Sequence, residues 1–285
     1  HLPQMLSSGG CVAASDFDQD GDLDLFVGGR IVPSKYPFPA KSYLLQNDAG
    51  KFTDITTTHA LEIEEMGLVT DAVWSDYDKD GDEDLIVVGE WMPISIFQNN
   101  DGKLNSVNSE LGLDNTRGWW FSIAATDIDG DGDTDYALGN LGLNAKYKVN
   151  EKKSFEVYCH DFDNSGNLDI VLVNGDKQKG LKLPVRGREC SSEQMPFIQE
   201  KFPTYEEFAT ANLEDIYGES LSEALHYQAD DLRSSFLIND GNGQFHLEAM
   251  PNEAQFSPTM SILTNDFNED GLSDLVMAGN LYGTE

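Results

Sequence analysis

The sequence predicts an all-β fold, a β-propeller with about five recognisable four-stranded blades and a small helical insertion. Three observations carry this expectation. A nine-residue acidic pattern recurs five times along the 285 residues, each time between short apolar runs. A second hairpin with an Asn-Asp-Gly type turn follows some of the copies. The copies are spaced at intervals suited to four-stranded units, the sequence signature of radial repetition. A β-solenoid would need shorter and more even repeats.

The acidic copies are DFDQDGDLD from Asp16, DYDKDGDED from Asp76, DIDGDGDTD from Asp127, DFDNSGNLD from Asp161 and DFNEDGLSD from Asp266. They hold 23 of the 51 acidic residues. Carboxylates packed this closely repel one another and raise each other's pKa unless a cation sits among them. Calcium suits such a turn, since it takes six to eight oxygen ligands at about 2.3–2.6 Å. Zinc would want His or Cys, and magnesium a stricter octahedron. Gly at position six permits the sharp turn.

Candidate ligands occupy positions one, three, five, seven and nine, with position seven offering its backbone carbonyl. In the first three loops they are Asp16, Asp18, Asp20, Asp22 and Asp24; Asp76, Asp78, Asp80, Asp82 and Asp84; and Asp127, Asp129, Asp131, Asp133 and Asp135. The fourth loop offers Asp161, Asp163, Ser165, Asn167 and Asp169, and the fifth Asp266, Asn268, Asp270, Leu272 and Asp274. Up to five Ca²⁺ are expected. Ser165 and Asn268 lower the side-chain charge of the last two sites, which are expected to be weaker. Unlike an EF-hand, each loop closes at position nine and runs into an apolar strand.

The lead-ins VAAS, AVWS, IAAT, VYCH and ILTN, and the runs LFVGG, LIVVGE, YALGN, IVLVNG and LVMAGN that follow, make every loop a link between two strands. Second hairpins begin at Ser42, Ile94 and Ser234. Loop starts are 60, 51, 34 and 105 residues apart. The first two intervals suit whole blades, the third an abbreviated one, and the last contains an insertion. That insertion is placed at 190–232, with capping boxes expected at Ser191–Gln194 and Thr204–Glu207. Residues 1–285 are thus expected to form one propeller domain, a fragment of a longer chain whose ring would be six- or seven-bladed, with the last unit stopping at GNLYGTE.

A net charge of −33 would repel nucleic acid and anionic membrane surfaces. No apolar run is long enough to span a bilayer, and the first residues show no signal-peptide pattern. Cys11, Cys159 and Cys190 fit neither a disulfide framework nor a zinc site.

The DxDxDGxxD hairpins and their apolar strands resemble FG-GAP and VCBS repeats, the calcium blades of integrin-α-type propellers. More narrowly, GWWFSIAATDIDGDGDTDYALGNLGLN and VRGRECSSEQMPFIQEKFPTYEEFA are similar to the repeat region of bacterial surface proteins that often end in an ASPIC/UnbV module. The resemblance implies an exported propeller, extracellular at a bacterial cell surface or in the periplasm, with no established catalytic activity. Calcium loops agree with export, because sites of about 10⁻⁴ M fill only at extracellular calcium levels.

No catalytic motif such as GxSxG or HExxH occurs. The expected function is therefore a calcium-stabilised, non-enzymatic binding or adhesion module for a glycan or protein ligand. The alternative is a calcium-dependent, lyase-like enzyme acting on polysaccharide. Candidate ligand residues are the aromatic pair Trp119 and Trp120, which would stack on sugar rings, and Arg186 and Arg188, which would clamp an acidic group.

Overall fold

A computed structural model describes residues 1–241 and 243–280. The end of the GNLYGTE segment, on which the expectation about the last unit rests, lies outside the described residues.

The chain starts with two regular four-stranded antiparallel sheets. The first comprises β1 (Ser8–Ser15), β2 (Asp24–Ile31), β3 (Tyr43–Asp48) and β4 (Lys51–Asp54) in sequential order. A single helical turn, α1 (Thr56–His59), leads to β5 (Leu68–Ser75), β6 (Asp84–Glu90), β7 (Ser95–Asn100) and β8 (Lys103–Ser106), paired the same way. In both sheets the acidic loop joins the first strand to the second, and the register opposes position nine to the residue before the loop: Asp24 to Ser15, and Asp84 to Ser75.

The third acidic loop joins β9 (Ser122–Thr126) to β10 (Asp135–Gly139), after which the chain enters residues 146–230, a compact unit of its own. This unit contains β11 (Lys153–His160), β12 (Asp169–Asp176) and β13 (Leu181–Pro184). Four short helices follow, α2 (Arg188–Gln194), α3 (Phe197–Lys201), α4 (Tyr205–Thr210) and α5 (Leu213–Tyr217), and then β14 (Leu225–Ala229). The sheet order is β13-β12-β11-β14, so the last strand flanks the acidic hairpin on the side opposite β13. The helices lay Met195, Ile198, Phe208, Leu213 and Ile216 against Tyr158, Phe162, Val171 and Val173 of the sheet and its loop.

This unit departs from expectation in three ways. The helices begin at Arg188 and end at Tyr217, and Leu225–Ala229 within the expected helical stretch 190–232 is a strand, its β-branched-free but alternating Leu-His-Tyr-Gln-Ala paired along β11. The Thr204–Glu207 capping box is present. That at Ser191 is absent, because Gly187 is the N-cap and Ser191 lies inside α2, its hydroxyl donated to the Arg186 carbonyl.

The largest correction concerns the hairpin from Ser234. Its strands, β15 (Ser235–Asn239) and β16 (Phe245–Ala249), pair with β10 rather than with the fourth acidic hairpin, giving the order β16-β15-β10-β9. The third blade is therefore complete, not abbreviated, and 146–230 interrupts it between its second and third strands. Apolar complementarity decides the pairing: Tyr136 opposes Leu237, and both are wholly buried in the same cluster. Last come β17 (Ser261–Asn265) and β18 (Asp274–Ala278), joined by the fifth loop as a two-stranded sheet among the described residues.

Within the unit formed by 1–145 and 231–285, successive sheets stack face to face. Phe17, Phe26 and Leu44 of the first pack on Val69, Trp74, Leu85 and Val87 of the second. The opposite face of the second sheet, Ile86, Val88 and Ile96, meets Ile123, Tyr136, Leu138 and Leu237 of the third. Strands buried on both faces read as continuous apolar runs rather than alternating ones, which is why LIVV is buried throughout β6. The fold is all-β, made of the four-stranded antiparallel blades of a β-propeller.

Candidate metal centres

Each acidic loop is shaped by hydrogen bonds from its own backbone. The Gly at position six donates its N–H to the carboxylate at position one, at 3.1 Å for Gly21 to Asp16 and Gly81 to Asp76, 3.1 Å for Gly132 to Asp127, 2.8 Å for Gly166 to Asp161 and 2.9 Å for Gly271 to Asp266. These glycines have φ between 85° and 100°, which a side chain would strain. Position four is also left-handed, at Gln19, Lys79, Asn164 and Glu269, with Gly130 in the third loop.

Positions one, three and nine converge. In each of four loops, Asp16/Asp18/Asp24, Asp76/Asp78/Asp84, Asp127/Asp129/Asp135 and Asp161/Asp163/Asp169, three carboxylate oxygens lie within 4.8 Å of one another. Two oxygens each about 2.4 Å from a shared Ca²⁺ are at most about 4.8 Å apart, so the spacing admits one such ion per triad. Position nine is the buried member: Asp24, Asp84 and Asp135 are 0% exposed and Asp169 3%.

The residues fit a cation on a further ground. Asp16 Oδ1 and Asp24 Oδ2 are buried and have no hydrogen-bond partner. Buried carboxylate oxygens without a donor are costly unless a cation completes them. Burial, joined by repulsion from Asp18 and Asp20, pushes Asp24 up to about 6 despite the Asn47 amide. Burial likewise pushes Asp84 up to about 7, with Asp78 and Asp80 adding to it, and raises Asp135 and Asp169. The donor set is entirely oxygen, which favours a hard cation over zinc or copper.

The other expected ligands are placed differently. Position five is folded onto the backbone: Asp20, Asp80, Asp131 and Asp270 each accept the N–H of position seven at 2.8–2.9 Å. It is not among the three close oxygens, and Ser165 likewise accepts from the Asn167 N–H. The side chains of position seven turn to neighbouring segments. Asp22 accepts from the Ala49 N–H, Asp82 from Gln19 Nε2, and Asp133 pairs with Lys79. Position four of one loop thus holds position seven of the next.

The fifth loop keeps the backbone form but not the triad. Asn268 stands at position three and donates its amide to Asp274 Oδ1 at 3.4 Å, and Asp274 is half-buried rather than buried.

A set of residues that the acidic pattern does not contain completes the centres. Asn47, Asn99 and Asn239, on the third strand of three blades, each donate a backbone N–H to position nine, at 2.7, 2.8 and 2.8 Å. The Asn99 side chain donates to the Phe17 carbonyl of the first loop at 2.7 Å, and Asn239 to the Tyr77 carbonyl of the second at 2.9 Å. Gln46 and Gln98 donate to Asp18 and Asp78 at 2.5 and 2.6 Å. The recurring Gln-Asn before the hairpin turn was the available signal. In the fourth loop Gln194 of α2 supplies the corresponding contact, 3.1 Å from Asp169 Oδ1.

The candidate ligand residues fall in two compact units, Trp119 and Trp120 in one and Arg186 and Arg188 in the other. Trp120 is 0% exposed, in the core between the second and third blades, its indole N–H donated to the Thr116 carbonyl. Buried this way it cannot stack on a ligand. Trp119 stacks on Trp91, with ring centroids 5.4 Å apart. Arg188 closes the helical layer, donating to the Phe202 carbonyl at 2.6 Å and lying over Tyr205, while Arg186 is exposed. Cys159 is 1% exposed, and burial pushes its thiol up to about 11, which leaves it inert at neutral pH.

No curated protein matches the chain. A family model described as FG-GAP-like repeat matches residues 16–87 and 76–138. Each match begins at an acidic loop's first Asp and runs through its blade into the next hairpin. The chain thus carries FG-GAP-like repeats over residues 16–138, from the first acidic loop through the second blade to β10 of the third.

Proposed function

We propose that the chain is a calcium-stabilised, non-enzymatic binding module working outside the cytoplasm, where it recognises a glycan or protein ligand. One observation carries the calcium part: carboxylate triads each closed by a buried position nine, with oxygens of Asp16 and Asp24 that have no partner from the protein. A bound ion would supply positive charge to the triads and tie the two strands of each hairpin. Binding free energy at such a site is folding free energy, because the unfolded chain does not hold the three carboxylates together. FG-GAP repeats are typical of extracellular proteins, and millimolar calcium there would fill even weak sites. No described helix is long and apolar enough to cross a membrane.

A glycan and protein array, run in 2 mM-order calcium and again in EGTA, tests this reading. Retention of a ligand class in calcium and its loss in EGTA is expected. An array blank in both conditions would remove the recognition role.

A further inference from the structure

Residues 146–230 carry ten of the 18 basic residues in under a third of the chain. Several gather at the end of the sheet away from the acidic loop, where β11 begins, β12 ends and the chain turns into β13. A cavity of about 230 Å³ opens there, lined by Ser154, Glu156, Asp176, Lys177, Lys182 and Gln228, with Gly175 and Gly180 at its wall.

The cavity is polar and organised. Glu156 is 2% exposed and accepts from Ser154 Oγ at 2.6 Å, Tyr158 Oη at 3.0 Å, Lys182 Nζ at 2.7 Å and His226 Nε2 at 2.8 Å. Lys182 also donates to Tyr158 Oη at 2.8 Å, and the His226 ring stacks on Tyr158 with centroids 4.2 Å apart. Gly175 keeps this arrangement open: a Cβ there would lie 2.0 Å from Ser154 Oγ and 3.4 Å from Glu156 Oε1.

The four charged lining residues balance, Glu156 and Asp176 against Lys177 and Lys182, and Lys153 beside Asp176 adds one positive charge at the rim. Glu156 is compensated by Lys182, and Asp176 by Lys153 at 3.2 Å. Lys177 is exposed and donates to the Asn150 carbonyl at 3.1 Å, a neutral acceptor, so its charge is not cancelled by that contact. Lys182 uses two of its three ammonium protons on Glu156 and Tyr158. Lys177 and Lys182 thus line the cavity together with Gln228 and Ser154, whose polar side chains can take hydroxyl partners. The volume lies below the ~300 Å³ at which pockets take drug-sized ligands, which leaves room for a single ring.

We propose that this cavity is a subsite for one uronic acid residue, its carboxylate set against Lys177 and Lys182 and its hydroxyls against Ser154, Asp176 and Gln228. The proposal rests on the glycan-binding reading above and places an acidic sugar in the unit 146–230, at lysines rather than at Arg186 and Arg188.

The test uses the calcium-loaded chain, ¹⁵N-labelled, titrated with methyl β-D-glucuronide and separately with methyl β-D-glucoside. The glucuronide is expected to shift the amides of Ser154, Gly175–Lys182 and Gln228, at least tenfold more tightly than the glucoside. The exposed position of Lys177 makes Lys177→Gln harmless to folding, and this variant is expected to weaken the glucuronide at least tenfold. Gly175→Ala is expected to abolish the shifts. Equal affinity for the two sugars, or glucuronide shifts confined to other residues, would overturn the subsite. Calcium-dependent glycan retention on the array that persists unchanged in Lys177→Gln would overturn the subsite and leave the binding module standing. Glucuronide shifts at these amides with a blank array would do the reverse.

Discussion

Replacing Asp24 by Asn separates a carboxylate held for a cation from one that is merely buried. The side chain is wholly buried, with Oδ1 accepting from Asn47 and Oδ2 without a partner, as is Asp16 Oδ1 in the same triad. In metal-free protein the substitution removes an unpaired buried charge, a change of about 1–3 kcal/mol in favour of folding. In calcium it removes a ligand. At a tenfold excess of ion over Kd each site contributes RT ln 11, about 1.4 kcal/mol. The unit formed by 1–145 and 231–285 contains three triads, so chelation should cost the native protein about 4 kcal/mol. At about 2–4 °C per kcal/mol for a domain near 200 residues, that is a fall of roughly 8–16 °C in Tm. The assay is differential scanning calorimetry of metal-stripped protein, in EGTA and in millimolar calcium. Asp24→Asn should melt above the native chain in EGTA and gain less from calcium. A native Tm that calcium leaves unmoved, or an Asp24→Asn that melts lower in both buffers by the same amount, would refute the cation account.

Asn99→Ala removes a wholly buried amide that donates to Phe17 O and Glu83 O and accepts from Gly102 N–H; a loss of about 2–4 kcal/mol is expected by urea denaturation. Gly29→Ala places a Cβ 2.4 Å from the Lys41 carbonyl and 2.5 Å from that of Ala40, so urea titration should show more than about 1 kcal/mol lost to overpacking. Burial alone would raise Glu156, but hydrogen bonds from His226, Lys182 and Ser154 and the Lys182 charge outweigh it and hold the carboxyl down at about 2. Its contribution is therefore complete above the unfolded value near 4.3 and is lost as pH falls toward 2. Protection factors of the β11 amides, exchange rates divided by the intrinsic rate at each pH, should fall over that window in the native chain and fall less in Glu156→Gln.

The acidic loops, the strands on either side of them and the Asn-Asp-Gly hairpins were legible in the sequence because each is local. A DxDxDG turn needs carboxylates and a glycine at fixed offsets, and a strand needs a short apolar run. The Gln-Asn pairs at 46–47 and 98–99 and the lone Asn239 were visible but mute, since Asn47, Asn99 and Asn239 matter only through a position-nine carboxylate 15 to 104 residues away.

What the sequence by itself determined is the repeating unit: five hairpins closed by acidic turns, and an all-β fold built from them. Tertiary structure alone decided which hairpin completes which blade, because β15 could meet β10 or β12 equally well by pattern, and burial of Tyr136 against Leu237 settled it. It also decided which oxygens of each loop converge. Alternation along a turn offers five candidates, and only the folded backbone, by drawing position five onto its own amides, leaves positions one, three and nine facing one another.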